Sequence, residues 1–466
     1  MSTLPTLHRR ALLGAGLLGG PLLAADRAAA AVPKSSSAAA LSQADTTVSA
    51  TAFETAPSTD RDQTAALQTA IDHTSAQGLG LTLPPGIFVI GGLLLRPGTR
   101  LIGAPGATVL RYSGIGTAIT ADKAHGLRLE HLTIDGRDRP LDHTRVAALV
   151  QLTDCSDATI DGVHITGASA NGLHFQRASG RIVNTRVSSA HNAGIWSLDA
   201  DQSTGGLSIS DSHVTDCRDN GILIWRGTKG EDGTRIHNVS VARIGNRSGG
   251  SGQYGNGINV FRASGVAISN SRFTGCAYSA IRGNAADNIQ MLGNHASRIG
   301  EVALYAEFGF QGAMIANNIV DDAATGIAVT NFNEGGRLAV VQGNMIRNLK
   351  RREHEPVDKR GEGIAVEADC VVANNVIEGA PTAGLMIGWG PHLRDVVATG
   401  NLIRASRIGI AVSGTAGAGK CLIANNLISA ATHGAIRAMN HATPIGADLI
   451  ASPAPKHITL TGNVTN

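Results

Sequence analysis

The hydrophobic residues of this chain recur in short alternating runs rather than at helical intervals. Typical runs are Ile258-Asn-Val260, Ile364-Ala-Val366 and Ile410-Ala-Val412, in which every second residue is apolar. A period of two is typical of β-strands with one buried face. Each run follows a small residue, and these small residues return roughly every 23 residues, with two longer intervals. The pattern predicts an all-β chain built from short repeated strands.

A unit of this length cannot bury its own apolar residues, so successive units must stack on one another. Two or three strands per unit, with Gly and Asn at the corners, form one coil of a right-handed parallel β-helix, and the chain has room for about 12 coils. Leucine-rich repeats have a similar length, but their leucine framework is missing. The small residues that open the runs, called marker residues below, are Gly172, Gly194, Gly221, Gly257, Ala280, Ala303, Gly326, Gly363, Gly384 and Gly409.

Asparagines occupy or adjoin one equivalent corner position per coil. Asparagine tolerates left-handed backbone geometry, and stacked asparagine side chains can hydrogen-bond from coil to coil. We interpret this column as structural rather than catalytic. Its members are Asn270, Asn294, Asn318, Asn344, Asn375, Asn401, Asn426 and Asn463.

The N-terminal part of the repeat region predicts a cap. Residues 58–71 contain a capping residue and apolar residues at helical spacing, Leu67, Ala70 and Ile71, and a Pro-Pro-Gly turn and strand follow at 81–90. This order resembles the N-terminal cap of pectate-lyase-like β-helix proteins, and that resemblance implies a fold but not a substrate. We therefore expect a cap with the first coils at 53–126 and the β-helix at 127–466.

Residues 1–31 have the organisation of an export signal, with a basic start, a Gly-rich apolar stretch and an Ala-rich cleavage zone. Arg9-Arg10 followed by Leu12-Leu13 resembles a twin-arginine signal, the alternative being an ordinary secretory signal. Residues 32–52, rich in Ala, Ser and Thr, are interpreted as a flexible linker. With the repeats, this signal resembles a bacterial family of twin-arginine-translocated repeat proteins, which has no established activity. The resemblance implies a periplasmic or secreted protein and a translocase as partner during export.

Composition narrows the partners and cofactors. A formal net charge of +3 in 466 residues does not indicate nucleic-acid binding, and no segment after the signal has the length and apolarity of a membrane span. Five cysteines without metal-ligand spacing predict no metal site. No cofactor is predicted, although twin-arginine export also carries proteins with a bound cofactor. We interpret the cysteines as small core residues: Cys155, Cys217, Cys276, Cys370 and Cys421.

Two columns of side chains are predicted to face outward, because alternate residues of a strand point to opposite faces. At the second position after each marker stand His174, Trp196, Leu223, Asn259, Arg282, Tyr305, Ala328, Ala365, Met386 and Ala411. At the fourth position stand Gln176, Leu198, Trp225, Phe261, Asn284, Glu307, Thr330, Glu367, Gly388 and Ser413. At the fifth position, where a turn begins, are Arg177, Asp199, Arg226, Arg262 and Trp389.

An outward aromatic row in a chain that is only 3% aromatic requires a reason. Sugar rings stack on aromatic faces, so the row predicts a glycan groove; the alternative is a row covered by a loop or by the linker. Two insertions before marker residues, Arg243–Gly255 and Leu349–Gly361, lie four coils or about 19 Å apart and are expected to form its walls. The substrate-binding candidates are His174, Trp196, Asp199, Trp225, Arg226, Asn259, Phe261, Arg262, Asn284, Asn331 and Trp389.

Candidate catalytic residues lie between the two insertions. Glu307 is the best acid/base candidate, with Tyr305 and Arg282 in reach, and Glu367 follows two coils later at about 9–10 Å. Arg282 or Arg262 is alternatively suited to neutralise a uronate carboxylate. The Asn-Thr-Asp, Gly-His-Gly and Arg-Ile-Lys elements of polygalacturonases and the Asp-Pro-His-Asp element of mannuronan epimerases are missing. Three hypotheses therefore stay open: a polysaccharide lyase, hydrolase or epimerase, a glycan- or surface-binding module, and a structural solenoid.

Overall fold

The computed structural model describes residues 46–141, 148–200, 206–250, 252–352 and 361–466. The predicted export signal lies outside these residues, as does the predicted linker up to residue 45. The described chain is a right-handed parallel β-helix, as the repeat predicted. Each coil contributes one strand to each of three faces, which we call the first, second and third face in chain order.

The first face is a 16-stranded parallel sheet. Its strands are Thr47–Ser49, Gly80–Thr82, Arg100–Ile102, Arg128–Glu130, Ala158–Asp161, Gly180–Val183, Leu207–Ser210, Arg235–His237, Ala267–Ser269, Ile289–Leu292, Gln311–Ala316, Arg337–Gln342, Ala368–Ala373, Arg394–Thr399, Cys421–Ala424 and Ile458–Thr461.

The second and third faces are joined into one 28-stranded sheet, because two strands, His295–Glu307 and Ile319–Val329, run through the corner between them. The second face also contains Gly86–Ile90, Thr108–Tyr112, Thr133–Asp135, His164–Thr166, Arg186–Ser188, His213–Thr215, Ser240–Ile244, Arg272–Cys276, Met345–Arg347, Val376–Glu378, Leu402–Arg404, Leu427–Ser429 and Val464–Thr465.

The third face carries the strands that follow the marker residues. Besides the two corner-crossing strands it contains Leu93–Leu94, Ile119–Asp122, Ala148–Thr153, Asn171–Gln176, Ala193–Leu198, Asn220–Glu231, Asn256–Ser264, Ile281–Asn284, Glu362–Val366, Ala383–Ile387, Ile408–Ser413 and Ile436–Asn440. Thr443–Asp448 adds to the last of these in antiparallel direction. The third face has one strand per coil, so the described chain contains about 14 coils. The sequence predicted about 12, because it did not count the N-terminal coils next to the cap as complete.

The corner between the first and second faces holds the predicted asparagine ladder. Asn344 shows the pattern: its amide nitrogen donates to Asn375 Oδ1 at 2.9 Å and to the Ile315 carbonyl at 3.0 Å. The same bonds link one asparagine per coil from Asn294 to Asn463. The left-handed residue is the one just before each ladder asparagine. These residues are alternately Gly and Asn: Gly293, Asn317, Gly343, Asn374, Gly400, Asn425 and Gly462.

The inward residues of the three faces form one continuous core along the solenoid. Its largest fully buried side chains include Phe88, Tyr112, Phe175, Phe273 and Phe310. All five cysteines are buried and unpaired, which confirms their interpretation as core residues. Burial raises the pKa of Cys276 to about 12, so this thiol stays protonated at neutral pH.

The cap contains one α-helix, Thr64–Ala76, which buries Leu67, Ala70 and Ile71 as predicted. It begins later than the sequence suggested, and Asp62 accepts the Thr64 N–H at its start, at 2.8 Å. Short 3₁₀ helices lie at Ala50–Phe53 and Phe332–Glu334. The strand Thr47–Ser49, within the segment expected as linker, pairs with Gly80–Thr82. Within the described part of the chain, no helix has the length and apolarity needed to cross a bilayer.

Candidate functional site

The outer columns of the third face have the register that the marker residues predicted. In the second-position column His174 pairs with Trp196, and Arg282 pairs with both Asn259 and Tyr305. In the fourth-position column Asn284 pairs with Glu307. Side chains one coil apart therefore lie side by side along the solenoid.

Much of the second-position column is outward but buried, which differs from the expected open row. Beyond the solenoid core, its downstream members build a second apolar cluster on the third face. The first insertion contacts this face through Arg282 and Tyr278, and such coverage keeps water from the outward side chains beneath it. The cluster consists of Val302, Tyr305, Ala328, Ala365, Ala383, Met386, Ile408, Ala411 and Met439.

The first insertion is fastened onto the third face by polar contacts. The Ser248 N–H and hydroxyl both donate to the Asp219 carboxylate at 2.7 Å, and the Tyr278 hydroxyl donates to the Gly250 carbonyl at 2.9 Å. Arg282 Nη1 donates to the Gly252 carbonyl at 2.6 Å. Gly252 has φ +140°, and a Cβ there would collide with the Arg282 guanidinium. Only glycine fits this position, because glycine adopts a positive φ without strain and has no Cβ to collide with Arg282.

Of the second insertion, the structure describes residues 349–352 and Gly361. The Arg352 guanidinium lies over the Tyr278 ring at 5.2 Å, and the hydroxyl of this tyrosine donates to the Gly250 carbonyl of the first insertion. Lys350 pairs with Asp322 at 2.6 Å, and Arg351 donates to the Pro381 carbonyl at 2.8 Å. The described parts of the two insertions therefore meet at Tyr278, and together they form a border on the marker side of the face.

A cavity of about 470 Å³ opens beside this border. It brings together six residues that the sequence analysis selected: Arg282, Tyr305, Glu307, Asn331, Glu367 and Trp389. It is completed by residues the sequence analysis did not select for a role: Val302, Phe308, Thr325, Ala328, Thr330, Asn333, Glu362, Ala365, Val366, Met386, Gly388 and His392.

Glu307 is the most constrained carboxylate of the cavity. Its Oε1 accepts from Arg282 Nε at 2.5 Å and from Asn284 Nδ2 at 3.1 Å. Both Glu307 and Arg282 are buried, and Arg282 also lies 3.8 Å from Glu301 Oε2. Burial raises the pKa of Glu307, although the Arg282 charge offsets part of that rise. Burial likewise raises the pKa of the Tyr305 hydroxyl, so Tyr305 remains a neutral donor.

Glu367 and Glu362 supply two further carboxylates. Glu367 Oε2 accepts the Phe332 N–H at 2.6 Å, and this bond to the backbone holds the carboxylate in place. Glu367 stands two strands beyond Glu307, or about 9–10 Å, because each follows a residue of the paired series Ala306, Val329 and Val366. Glu362 pairs in register with Thr325. Sequence reasoning missed Glu362 because it directly follows an insertion, yet its place just before marker Gly363 was the available signal.

The upstream half of the face carries an unbroken row of rings. The centroids of His174, Trp196, Trp225 and Phe261 follow one another at 5.2, 5.3 and 5.7 Å. His174 is buried, and the other three are half-buried. Among the described residues, neither His174 ring nitrogen has a hydrogen-bond partner, nor does Asn259 Oδ1, Trp196 Nε1 or Trp225 Nε1. Burial lowers the pKa of His174 to about 4.

Three predicted binding residues instead hold turns next to the aromatic row. Asp199 accepts the Gly227 N–H at 2.8 Å, Arg226 donates to the Ala200 carbonyl at 3.0 Å, and Arg262 donates to the Gly227 carbonyl at 3.1 Å. Arg262 also covers the Phe261 ring at 4.8 Å. The structure does not bring these residues to the cavity, because they belong to coils upstream of those that line it.

The rest of the described chain offers weaker candidates. A shallow depression of about 810 Å³ lies on the first face, but its charges already pair, with Asp369 bridging Arg337 and Arg394 at 2.6 Å. Within the described ranges, no group of three or more His, Cys, Asp or Glu residues is arranged to hold a metal ion. The third-face cavity is therefore the candidate site.

Comparisons with known proteins support the fold. The family profile described as a right-handed β-helix region matches residues 148–231 and 220–403. The catalytic unit of a GH87 α-1,3-glucanase from Streptomyces thermodiastaticus is similar with a TM-score of 0.50 and 16% identity, over 90% of this chain and 69% of that one. The N-terminal fragment of bacteriophage Phi29 gene product 12 is similar with a TM-score of 0.52 and 15% identity, over 90% and 71%. No curated protein matches the sequence.

Proposed function

The chain belongs to the right-handed β-helix family, and from this premise we propose that it binds a neutral polysaccharide along the third face and hydrolyses it beside Glu307. The observation that carries the proposal is the cavity itself. It places Glu307, Glu362 and Glu367 around one space of about 470 Å³, with Tyr305 and Trp389 as aromatic walls. Concave sites with a few convergent polar groups are typical of ligand binding.

The charges of the cavity favour a neutral substrate over a uronate. Among the described residues that line it, Arg282 is the only arginine or lysine, and it is already bound by Glu307 and approached by Glu301. Among the described residues that line the cavity, a uronate carboxylate would meet three glutamates and one arginine that Glu307 already binds. This charge balance argues against the sequence-based hypothesis that Arg282 neutralises a uronate carboxylate. It also argues against lyase or epimerase chemistry in the cavity.

Glu307 and Glu367 divide the two roles of an inverting hydrolase. The raised pKa of Glu307 suits a general acid that gives its proton to the glycosidic oxygen. Glu367 takes a proton from the water that attacks the anomeric carbon from the opposite side. Their separation of about 9–10 Å is close to the upper end of the spacing that leaves room for this water, roughly 6.5–9.5 Å.

The test incubates the protein with a panel of neutral and acidic polysaccharides and follows released oligosaccharides by mass spectrometry. The GH87 α-1,3-glucanase, similar in fold, makes α-1,3-glucan the first polymer to include. We expect products that have gained water, and at least a 100-fold loss of rate in Glu307→Gln and Glu367→Gln. Glu334→Gln, an exposed neighbour, is the matched control. Products that have lost water, or full activity of both variants, would contradict the proposal.

A glycan-binding module without catalysis is the second candidate, and the aromatic row favours it. The tryptophan rings are half-buried, so part of each remains exposed for stacking against a sugar ring. In this case Trp225→Ala would weaken polysaccharide binding in affinity electrophoresis. No polysaccharide of the panel would be cleaved, and the carboxylate variants would still bind.

We further propose export through the twin-arginine route, which rests on the Arg9-Arg10 pair and the apolar stretch after it. The double variant Arg9→Lys with Arg10→Lys should stay in the cytoplasm of a bacterial host. Cell fractionation checks this, and unchanged export would point to the general secretory route.

A further inference from the structure

The downstream coils expose a continuous apolar column on the second face. Its residues pair in register from one coil to the next, and the residue after each of the first five points into the core. Six side chains, each between 36% and 60% exposed, therefore line up over about 24 Å at the usual strand spacing. They are Ile319, Met345, Val376, Leu402, Leu427 and Val464.

The same column is polar in the upstream coils. Going backwards from Ile319 it continues through His295, Arg272, Ser240, His213 and Arg186. Both halves have the same backbone and the same outward orientation, so folding the coil does not require apolar residues there. An exposed apolar stripe confined to one region is typical of an interaction surface.

A second outward column runs two residues further along these strands, and its charges alternate. In chain order it contains Asp321, Arg347, Glu378 and Arg404. Within the chain, Arg347 pairs with Asp321 at 2.8 Å and Arg404 pairs with Glu378 at 3.4 Å. Ser297 precedes the four charges and Ser429 follows them, so uncharged residues flank the alternating group on both sides.

We propose that this surface binds a second copy of the chain through a two-fold axis that runs along the strands, between the coils of Arg347 and Glu378. Rotation about this axis brings the coils of the partner into the opposite order along the solenoid. Each residue of one copy therefore faces a residue at the same position along a strand of the partner. Four of the six apolar residues of each copy therefore meet: Met345 faces the partner's Val376, and Ile319 faces the partner's Leu402. Leu427 and Val464 lie at the rim of the interface, opposite the partner's His295 and Arg272.

The charges select this arrangement. Around that axis Arg347 faces the partner's Glu378, and Asp321 faces the partner's Arg404, so all four charges meet an opposite charge. A surface that is complementary to itself under one two-fold rotation is what a symmetric dimer requires. An axis parallel to the solenoid would leave these charges without partners across the interface. The stripe is narrow for a stable dimer, so we expect an affinity in the micromolar range.

The first experiment is sedimentation equilibrium of the purified full chain over a concentration series up to about 100 μM. We expect a monomer–dimer equilibrium that Met345→Lys weakens at least tenfold. Met314→Lys is the matched control, because Met314 is 42% exposed against 43% for Met345 but lies on the first face. Thermal unfolding of each variant establishes that it is folded. A monomer at all concentrations, or equal weakening by both variants, would overturn the proposal.

The second experiment separates this axis from other dimers by charge exchange. Arg347→Glu alone and Glu378→Arg alone should each weaken the dimer several-fold, because each places like charges opposite one another across the interface. The double exchange should restore the dimer, since these two positions then again carry opposite charges across the axis, although both pairs within the chain become like-charged. Failure of the double variant to recover would overturn the proposed axis, and a larger oligomer would overturn the two-fold symmetry.

Discussion

The two halves of the third face use the same backbone for different chemistry. Upstream, His174, Trp196, Trp225 and Phe261 form a row of contacting rings. Downstream, the same outer columns carry Arg282 and a set of glutamates around a cavity. Register and strand spacing are continuous from one half to the other. The difference shows that the solenoid supplies positions at a fixed interval, while the side chains at those positions decide what each stretch can bind.

The halves also differ in how polar groups are satisfied. The downstream Arg282 has carboxylate and carbonyl partners, whereas the upstream ring nitrogens of His174 have none within the described part of the chain. A buried charge must be paired, while a neutral ring tolerates burial at a lower free-energy cost. Each half should therefore respond to substitution and pH in its own way.

The largest expected effect is at the buried ion pair. Arg282→Met leaves Glu307 and Glu301 buried without their cation, and we expect it to lower the free energy of unfolding by about 3–5 kcal/mol. Arg262→Met, at the exposed fifth position upstream, should cost less than about 1 kcal/mol. Urea unfolding followed by circular dichroism measures both. Equal costs would show that the pair is not buried in solution.

The second effect is acid sensitivity of the upstream row. The pKa of His174 is about 4 in the folded chain against about 6.5 when unfolded, so the unfolded state binds the extra proton between these values. Stability should be complete above pH 6.5 and fall by about 3 kcal/mol as the pH drops to 4. His174→Phe should lack this part of the pH dependence, as urea unfolding at several pH values can test. The same slope in both proteins would assign the acid sensitivity to other groups.

A third effect tests how the first insertion is held over the cavity. Gly252→Ala forces a Cβ against the Arg282 guanidinium at a backbone conformation that favours glycine, and we expect a loss of about 1–3 kcal/mol. Gly249→Ala is the control within the same insertion, since a Cβ there meets no atom within 4 Å. Thermal unfolding compares them. If Gly252→Ala is no worse than Gly249→Ala, the insertion does not lie on Arg282.

The smallest effect concerns sugar stacking. Trp225→Ala should weaken polysaccharide binding by about 1 kcal/mol, roughly fivefold, if the upstream row extends the binding surface beyond the cavity. Trp389→Ala, at the cavity, should also lower the hydrolysis rate. Affinity electrophoresis and product release separate the two. An unchanged affinity in Trp225→Ala would leave the aromatic row as a packing feature.

The local repeat carried enough information to predict the coil and its register. Alternation of apolar residues and the asparagine column identified the faces and the corner, because a stacked solenoid repeats one local environment in every coil. The same reasoning placed Arg282, Tyr305, Glu307 and Glu367 on neighbouring positions. The left-handed conformation falls on the residue before each ladder asparagine and not on the asparagine itself. The sequence did not distinguish the two positions, since Asn and Gly both tolerate that conformation.

The sequence by itself determined the fold, the buried cysteines and the side-chain columns, because these follow from periodicity and from contacts between adjacent coils. Only the tertiary structure decided which outward residues are covered and where the cavity lies. Insertions have no repeat to follow, and their placement depends on individual long-range contacts such as Arg352 on Tyr278 and Gly252 on Arg282. The place of Glu362 in the cavity also depends on long-range contacts, since the residues that line the cavity with it come from other coils.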